Sequence, residues 1–204
     1  MMVDSNDAPH RSASVEAERS VRIERDGGEQ RLVATQRVPR PRDEVFPYFA
    51  DARNLEQLTP PFLRFRILEV STPDVRQDTR IRYRLRLHGV PVGWHTVILE
   101  WEPPVGFTDY QRRGPFRLWR HRHDFIEVDG GTLLRDTVHF AIYGSALLPE
   151  AATRWVDRDL RKIFNYRQDV IAARFGRLLP SSSTSADGPR TSQTTPSVFR
   201  STTT

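Results

Sequence analysis

Residues 119–125, WRHRHDF, and residues 135–140, RDTVHF, flank the dipeptide Asp129-Gly130, and the way these two runs face each other decides the fold. Asp-Gly suits a two-residue type I′ hairpin, because both central residues can take positive φ. If Val128 and Gly131 flank the turn, Phe125 pairs with Leu134, His123 with Asp136, His121 with Val138 and Trp119 with Phe140. Side chains alternate along a strand, so these eight share one face. The other face carries Leu118, Arg120, Arg122, Asp124, Arg135, Thr137 and His139, and is a wet face. Slipping the pairing by one residue would bury the arginines, which is too costly to accept. The aromatic face is therefore the buried one, and it carries two histidines and an aspartate that must find partners.

Working outward, Arg80–Leu87 reads RIRYRLRL, with four arginines on one face and Ile81, Tyr83, Leu85 and Leu87 on the other. Such alternation marks an antiparallel strand with one face in solvent. His88-Gly89 turns it into Val90–Trp101, placing Trp94 near Tyr83 and Val92 near Leu85. Pro103-Pro104 ends that strand, Phe107–Arg113 forms the next, and Gly114-Pro115 leads into WRHRHDF. Five sequential antiparallel strands make a meander.

Before it, Leu32–Val38 reads as a strand, Glu44–Ala50 as a helix opened by Asp43, and Ala52–Leu58 as a second short helix ended by Pro60-Pro61. Phe62–Val70 alternates as a strand, and Ser71-Thr72-Pro73-Asp74 is a turn. After it, Leu148-Pro149-Glu150 opens a long helix whose Val156, Leu160, Ile163, Phe164, Val170, Ile171 and Phe175 form one apolar stripe. That stripe needs an apolar partner, and the concave face of the sheet is the only large one. Residues 1–28 are polar and without periodicity, and residues 179–204 are rich in serine and threonine; both read as disordered tails around a domain over 29–178.

Absence of cysteine excludes disulfides, thiol nucleophiles and thiolate metal sites. No secretory signal or long apolar run is visible, which points to a cytoplasmic protein without a membrane span. The charge of +5 is carried almost wholly by arginine, with Lys162 the only lysine. The row Arg80, Arg82, Arg84 and Arg86 lacks the interleaved exposed aromatics of a single-strand binder, so it reads as a solvated outer face and no nucleic acid is expected. Phosphate-loop, nucleophile-elbow and dinucleotide motifs are missing, serines concentrate in the tails, and no cofactor is expected.

This order of elements resembles the START-like or SRPBCC helix-grip superfamily. Within it, the chain is similar to the bacterial branch labelled polyketide cyclase/dehydrase or ligand-binding SRPBCC protein, some members of which carry a cell-division-inhibitor label. The resemblance rests on Leu58-Thr59-Pro60-Pro61-Phe62, Trp94, Trp101-Glu102-Pro103-Pro104, Phe107 with Asp109 and Gln111, Gly114-Pro115-Phe116, Trp119 with His121 and His123, Gly131-Thr132, Asp136, and Ile163-Phe164 with Tyr166-Arg167. One departure is Asp78, which stands where the pattern has a glycine; aspartate tolerates the left-handed conformation at modest cost. The resemblance implies an α+β helix-grip fold: a curved antiparallel sheet of six to seven strands around the long terminal helix, enclosing a cavity.

The expected function is binding of a hydrophobic small molecule, such as a lipid, polyketide or quinone-like compound, between sheet and helix. Tyr83, Trp94, Phe107, Asp109, Gln111, Trp119, His121, His123, Phe125, Leu134, Asp136, Phe140 and Phe164 are the candidate binding residues. A ligand-sized hollow of about 300 Å³ would cost on the order of 7 kcal/mol if left empty, which rivals the stability of a domain. A rival reading is a cyclase or dehydratase using His123 as acid or base with Asp136 orienting it. His121, His123 and Asp136 also match a metal ligand set in type, but spacing alone is weak support and no metal is expected. A third reading is an interaction module that uses the arginine row.

Overall fold

A computed structural model of the chain describes residues 19–26, 29–144 and 150–177. Eight antiparallel strands form one sheet: β1 (Arg19–Asp26), β2 (Glu29–Val38), β3 (Arg66–Val70), β4 (Arg80–Leu87), β5 (Val90–Glu102), β6 (Gly106–Arg113), β7 (Phe116–Val128) and β8 (Gly131–Ile142). Their spatial order is β1-β2-β8-β7-β6-β5-β4-β3, so the run from β3 to β8 is a meander and β2 returns beside β8. Helix α1 (Arg42–Ala50) follows β2, and helix α2 (Glu150–Phe175) follows β8. This is the α+β helix-grip architecture, a curved sheet around a long terminal helix.

The β7–β8 pairing is the one the sequence dictates: Phe125 opposite Leu134, His123 opposite Asp136, His121 opposite Val138 and Trp119 opposite Phe140. The turn differs in kind. Gly130 takes a positive φ of 79° but Asp129 does not, so the turn is not type I′. β8 enters so close to the end of β2 that a Cβ on Gly131 would lie 2.0 Å from the Val38 carbonyl oxygen, and that approach sets the backbone there. Tyr83 pairs with Trp94 and Leu85 with Val92 as expected. Asp78 adopts the left-handed conformation at φ 65°.

Three expectations need correction. Residues 19–26, read as part of a disordered tail, form β1, which pairs with β2 along its whole length. Its apolar content is only Val21 and Ile23, enough for an edge strand half-covered by the core. Second, the expected strand from Phe62 begins only at Arg66: Pro61–Leu63 is a 3₁₀ turn, and Arg64 at φ 45° breaks the extended chain. Third, the second short helix is a 3₁₀ turn over Ala52–Leu55, capped by the Asp51 carboxylate accepting from the Arg53 amide. The remaining tail residues, 1–18, 27–28 and 179–204, together with residue 178 and the expected helix opening at Leu148-Pro149, lie outside the described residues.

Two buried clusters fill the grip. One gathers Leu32, Val138 and Phe140 of the sheet with Leu160 and Phe164 of α2; the other gathers Phe125 and Leu134 with Phe46 of α1 and Ile171 of α2. Polar ties then fix α2 along the sheet. Gln168 donates to the carbonyls of Ser20 and Thr35, and Arg19 donates to Gln168 and to the Asn165 carbonyl. Deeper, the Arg167 guanidinium reaches Asp136 of β8, with Nε 3.3 Å from Oδ2. Breaking one half of such a buried pair strands the other charge. Asp136→Ala should cost about 3–5 kcal/mol in urea unfolding, and the double variant Asp136→Leu with Arg167→Met should recover most of that loss.

Candidate functional site

Strands β6, β7 and β8 run side by side, and their inward faces bring Asp109, His121, His123 and Asp136 together. Asp109 lies opposite His121 across β6–β7, and Asp136 lies opposite His123 across β7–β8. The histidines, two apart on β7, point the same way with ring centroids 3.7 Å apart. His123 also stacks on Phe107 at 4.2 Å, while His121 meets Phe164 of α2 at 5.7 Å. Both rings are thus locked between aromatic neighbours and almost fully buried.

Each ring has one nitrogen on each carboxylate. Asp136 Oδ1 lies 3.0 Å from His121 Nε2 and 2.8 Å from His123 Nδ1. Asp109 Oδ2 lies 3.0 Å from His123 Nε2 and 3.5 Å from His121 Nδ1. Sequence pairing linked Asp136 to His123 alone; in the structure it serves both histidines and Arg167. Arg167 Nη2 sits 3.2 Å from His123 Nδ1 and donates there only when that nitrogen carries no proton.

These contacts separate the two imidazoles. Burial lowers the pKa of His121, and its neighbour His123 lowers it further, against the pull of Asp136. Burial also works against charge on His123, but hydrogen bonds to Asp109 and Asp136 outweigh it and the pKa is raised. Burial opposes the Asp136 charge as well; Arg167 and the two histidines overcome it and hold the carboxyl well below its usual range. One proton is thus favoured on His123 and disfavoured on His121.

A cavity of about 300 Å³ opens between the sheet and α2 beside this cluster. Of the candidate binding residues, Tyr83, Trp94, Phe107, Asp109, Trp119, His121, His123 and Phe164 line it. Tyr83, whose phenol burial pushes well above its usual range, bonds Thr96 at 3.1 Å on the same wall. The others do not line it. Gln111 folds back to donate to the Phe116 carbonyl at 2.6 Å, bracing the β6–β7 turn. A Cβ at Gly114 would collide with that amide, at 2.4 Å from Oε1, so the turn glycine and the glutamine fit as a pair. Phe125 and Leu134 are covered by α1, with Phe46 and Phe49 both packed edge-on to the Phe125 ring. Phe140 is sealed beneath Phe116 and Trp119, and Asp136 supports the histidines without reaching the cavity wall.

Arg167 lines the cavity and was not among the candidates, although its signal was present. It stands three residues after Phe164 and four before Ile171, a lone cation inside the apolar stripe of α2. His88 of the β4–β5 turn and Asp159 of α2, 2.7 Å apart, also line the cavity.

Comparison with known proteins agrees with this architecture. No curated protein matches the chain. Among solved structures, the Zhui aromatase/cyclase from Streptomyces sp. R1128 superposes with a TM-score of 0.58 at 17% identity, covering 72% of this chain and 93% of that one. Protein Ms6760 from Mycobacterium smegmatis gives 0.55 at 19% identity, with 76% and 99% covered. The ginseng major latex-like protein 151 from Panax ginseng gives 0.54 at 11%, with 73% and 99% covered. At these identities the likeness is one of fold. The family model described as "Polyketide cyclase / dehydrase and lipid transport" matches residues 29–166, well over half of the sequence, and the chain belongs to that family.

Proposed function

We propose that this protein binds a largely apolar small molecule of lipid, polyketide or quinone-like character in the cavity between sheet and α2, with an oxygen-bearing end against the histidine–aspartate cluster. The observation that carries this reading is the composition of the wall. Trp94, Trp119, Phe107, Leu160 and Ile163 supply apolar surface, while Asp109, His121, His123 and Arg167 form one polar patch within it. Pockets that are mostly apolar with a few convergent polar groups are the common form of small-molecule sites. The cavity is open to solvent, so a guest gains by displacing water from these apolar walls, at roughly 25 cal/mol for each Å² covered. The family's description, which names both cyclase/dehydrase chemistry and lipid transport, is consistent with such a guest.

A second reading is favoured by one feature of the geometry. His123 lines the cavity with Nδ1 on Asp136 and Nε2 on Asp109, which also lines it, an Asp–His–Asp chain along which a proton can be passed toward a guest. A cyclase or dehydratase would use His123 as the proton-transferring group and Asp136 as its orienting partner. The outer arginines have less to recommend them as a binding surface. Within the row, Arg82 is paired with Glu69 of the neighbouring strand at 2.8 Å, so the row is partly neutralised by its own sheet.

Titration with an environment-sensitive apolar dye tests the cavity. Ile163→Trp, which places an indole in the hollow, should weaken dye binding roughly tenfold or more with a thermal midpoint no lower than wild type; unchanged affinity would remove the cavity as the site. Arg84→Ala on the outer face should leave dye binding as it was. For the second reading, His123→Ala distinguishes the two uses of the cluster. A binder should lose only several-fold in affinity, whereas an enzyme should lose turnover of a cyclisable polyketide by about 100-fold or more while still binding it.

A further inference from the structure

We propose that Asp109, His121 and His123 form a site for one divalent transition-metal ion of the borderline class to which Zn²⁺ and Fe²⁺ belong, with its open coordination positions facing the cavity. The sequence alone suggests Asp136 as the carboxylate of such a set. The structure assigns that place to Asp109 and gives Asp136 a different part.

The donor geometry fits an ion. His121 Nδ1 and His123 Nε2 both face Asp109 Oδ2, at 3.5 and 3.0 Å, and the three ligating atoms lie within 4.8 Å of one another. Bonds of about 2.0–2.2 Å at tetrahedral or octahedral angles set neighbouring donors roughly 3–3.5 Å apart. Both Asp109 distances already fall in that range, and the imidazole nitrogens, which lie within 4.8 Å, need only close toward each other to complete the set.

The outer contacts are arranged for the same end. Asp136 Oδ1 accepts from the far nitrogen of each ring, at 3.0 Å from His121 Nε2 and 2.8 Å from His123 Nδ1. With a proton on each of those nitrogens, the lone pairs of His121 Nδ1 and His123 Nε2 turn toward Asp109. A carboxylate behind a ligating histidine commonly fixes its tautomer in this way, and here one carboxylate serves two rings. Arg167 stands on the Asp136 side, 3.3 Å from its Oδ2, so its charge offsets the outer carboxylate.

Charge and chemistry narrow the ligand. Two imidazoles and a carboxylate, with no thiolate anywhere in the chain, suit borderline divalent ions and leave positions free for exogenous ligands. With both histidines neutral, the two aspartates and Arg167 carry one negative charge in excess. A divalent ion turns that into one positive charge, so the occupied site would attract a monoanionic oxygen ligand such as hydroxide, a carboxylate or an enolate. Asp109, His121 and His123 all line the cavity, where such a ligand would arrive.

Chelator-treated full-length protein titrated with Co²⁺, an optically visible stand-in for Zn²⁺, gives the test. One equivalent should bind, with visible ligand-field absorption that added Zn²⁺ displaces. Asp109→Asn and His123→Gln should each abolish the spectrum, His139→Gln on the outer face of the sheet should leave it intact, and Asp136→Asn should weaken Co²⁺ binding about 10- to 100-fold while keeping the absorption bands. Circular dichroism of each variant identifies any that fails to fold. No saturable spectrum in the folded wild-type chain, or a spectrum that survives Asp109→Asn, would overturn the proposal. Dye binding to the metal-free protein is read separately, so failure here leaves the cavity's role as a binding site standing.

Discussion

Asp136 is a carboxylate held inside the fold because two imidazoles and a guanidinium on two different layers converge on it. The imidazoles belong to the histidines of β7 and the guanidinium to Arg167 of α2. Removing Arg167 would leave the Asp136 charge without its counterion, and the placement of the helix on the sheet seen here meets that need. An apolar interface tolerates small slippage of a helix along a sheet, but this one does not. The aromatic contacts of Phe164 with His121 and of Arg167 with Phe49 then follow from where Arg167 must be.

That fixed placement is what allows a hollow to persist. A long helix packed freely on a concave sheet would settle until its side chains filled the space. Here α2 is tied along its length: Arg161 donates to the Val21 carbonyl, Gln168 bridges β1 and β2, and Arg167 anchors to β8. The core divides accordingly into one cluster beneath Phe140 and another beneath Phe125, and the cavity lies between the sheet's remaining aromatic wall and the helix. A close approach contributes too. Gly106 lets β6 lie against β7 where a Cβ would meet the His123 carbonyl oxygen at 2.4 Å, which keeps Asp109 within reach of the imidazole.

Much of this was legible in the residues. Strict alternation in RIRYRLRL and WRHRHDF, with glycine turns between strands, set the register of β4–β5 and β7–β8, and the register alone put His121, His123 and Asp136 on one inward face. What failed did so for physical reasons. β1 has only two apolar residues, because an edge strand buries one side partially, and its tie to α2 runs through Arg19, a contact across most of the chain. Gln111 alternates correctly with Asp109, yet its amide found the Phe116 carbonyl in its own hairpin before it could face the cavity. Pairing across a single hairpin also could not show that Asp109 would meet both imidazoles from the other flank. Arg167 was visible as a cation in an apolar stripe, but its partner lay in the sheet.

The same cluster constrains which guests the cavity can accept. Asp109 and the imidazoles sit on a wall that is otherwise aromatic and aliphatic, so any molecule that fills the hollow also displaces water from them. A wholly hydrocarbon guest would strip that water and return nothing, at a cost of about 1–3 kcal/mol for each polar group left unsatisfied. A guest with a hydroxyl, carbonyl or carboxyl oxygen at the matching end replaces the lost hydrogen bonds and keeps the apolar gain along the rest of its length. Discrimination of this kind comes from the penalty on the wrong ligand more than from extra attraction to the right one. On the proposed function, the apolar walls would supply affinity for a broad class of molecules, and the buried carboxylate and imidazoles would decide which members of it stay and in which orientation.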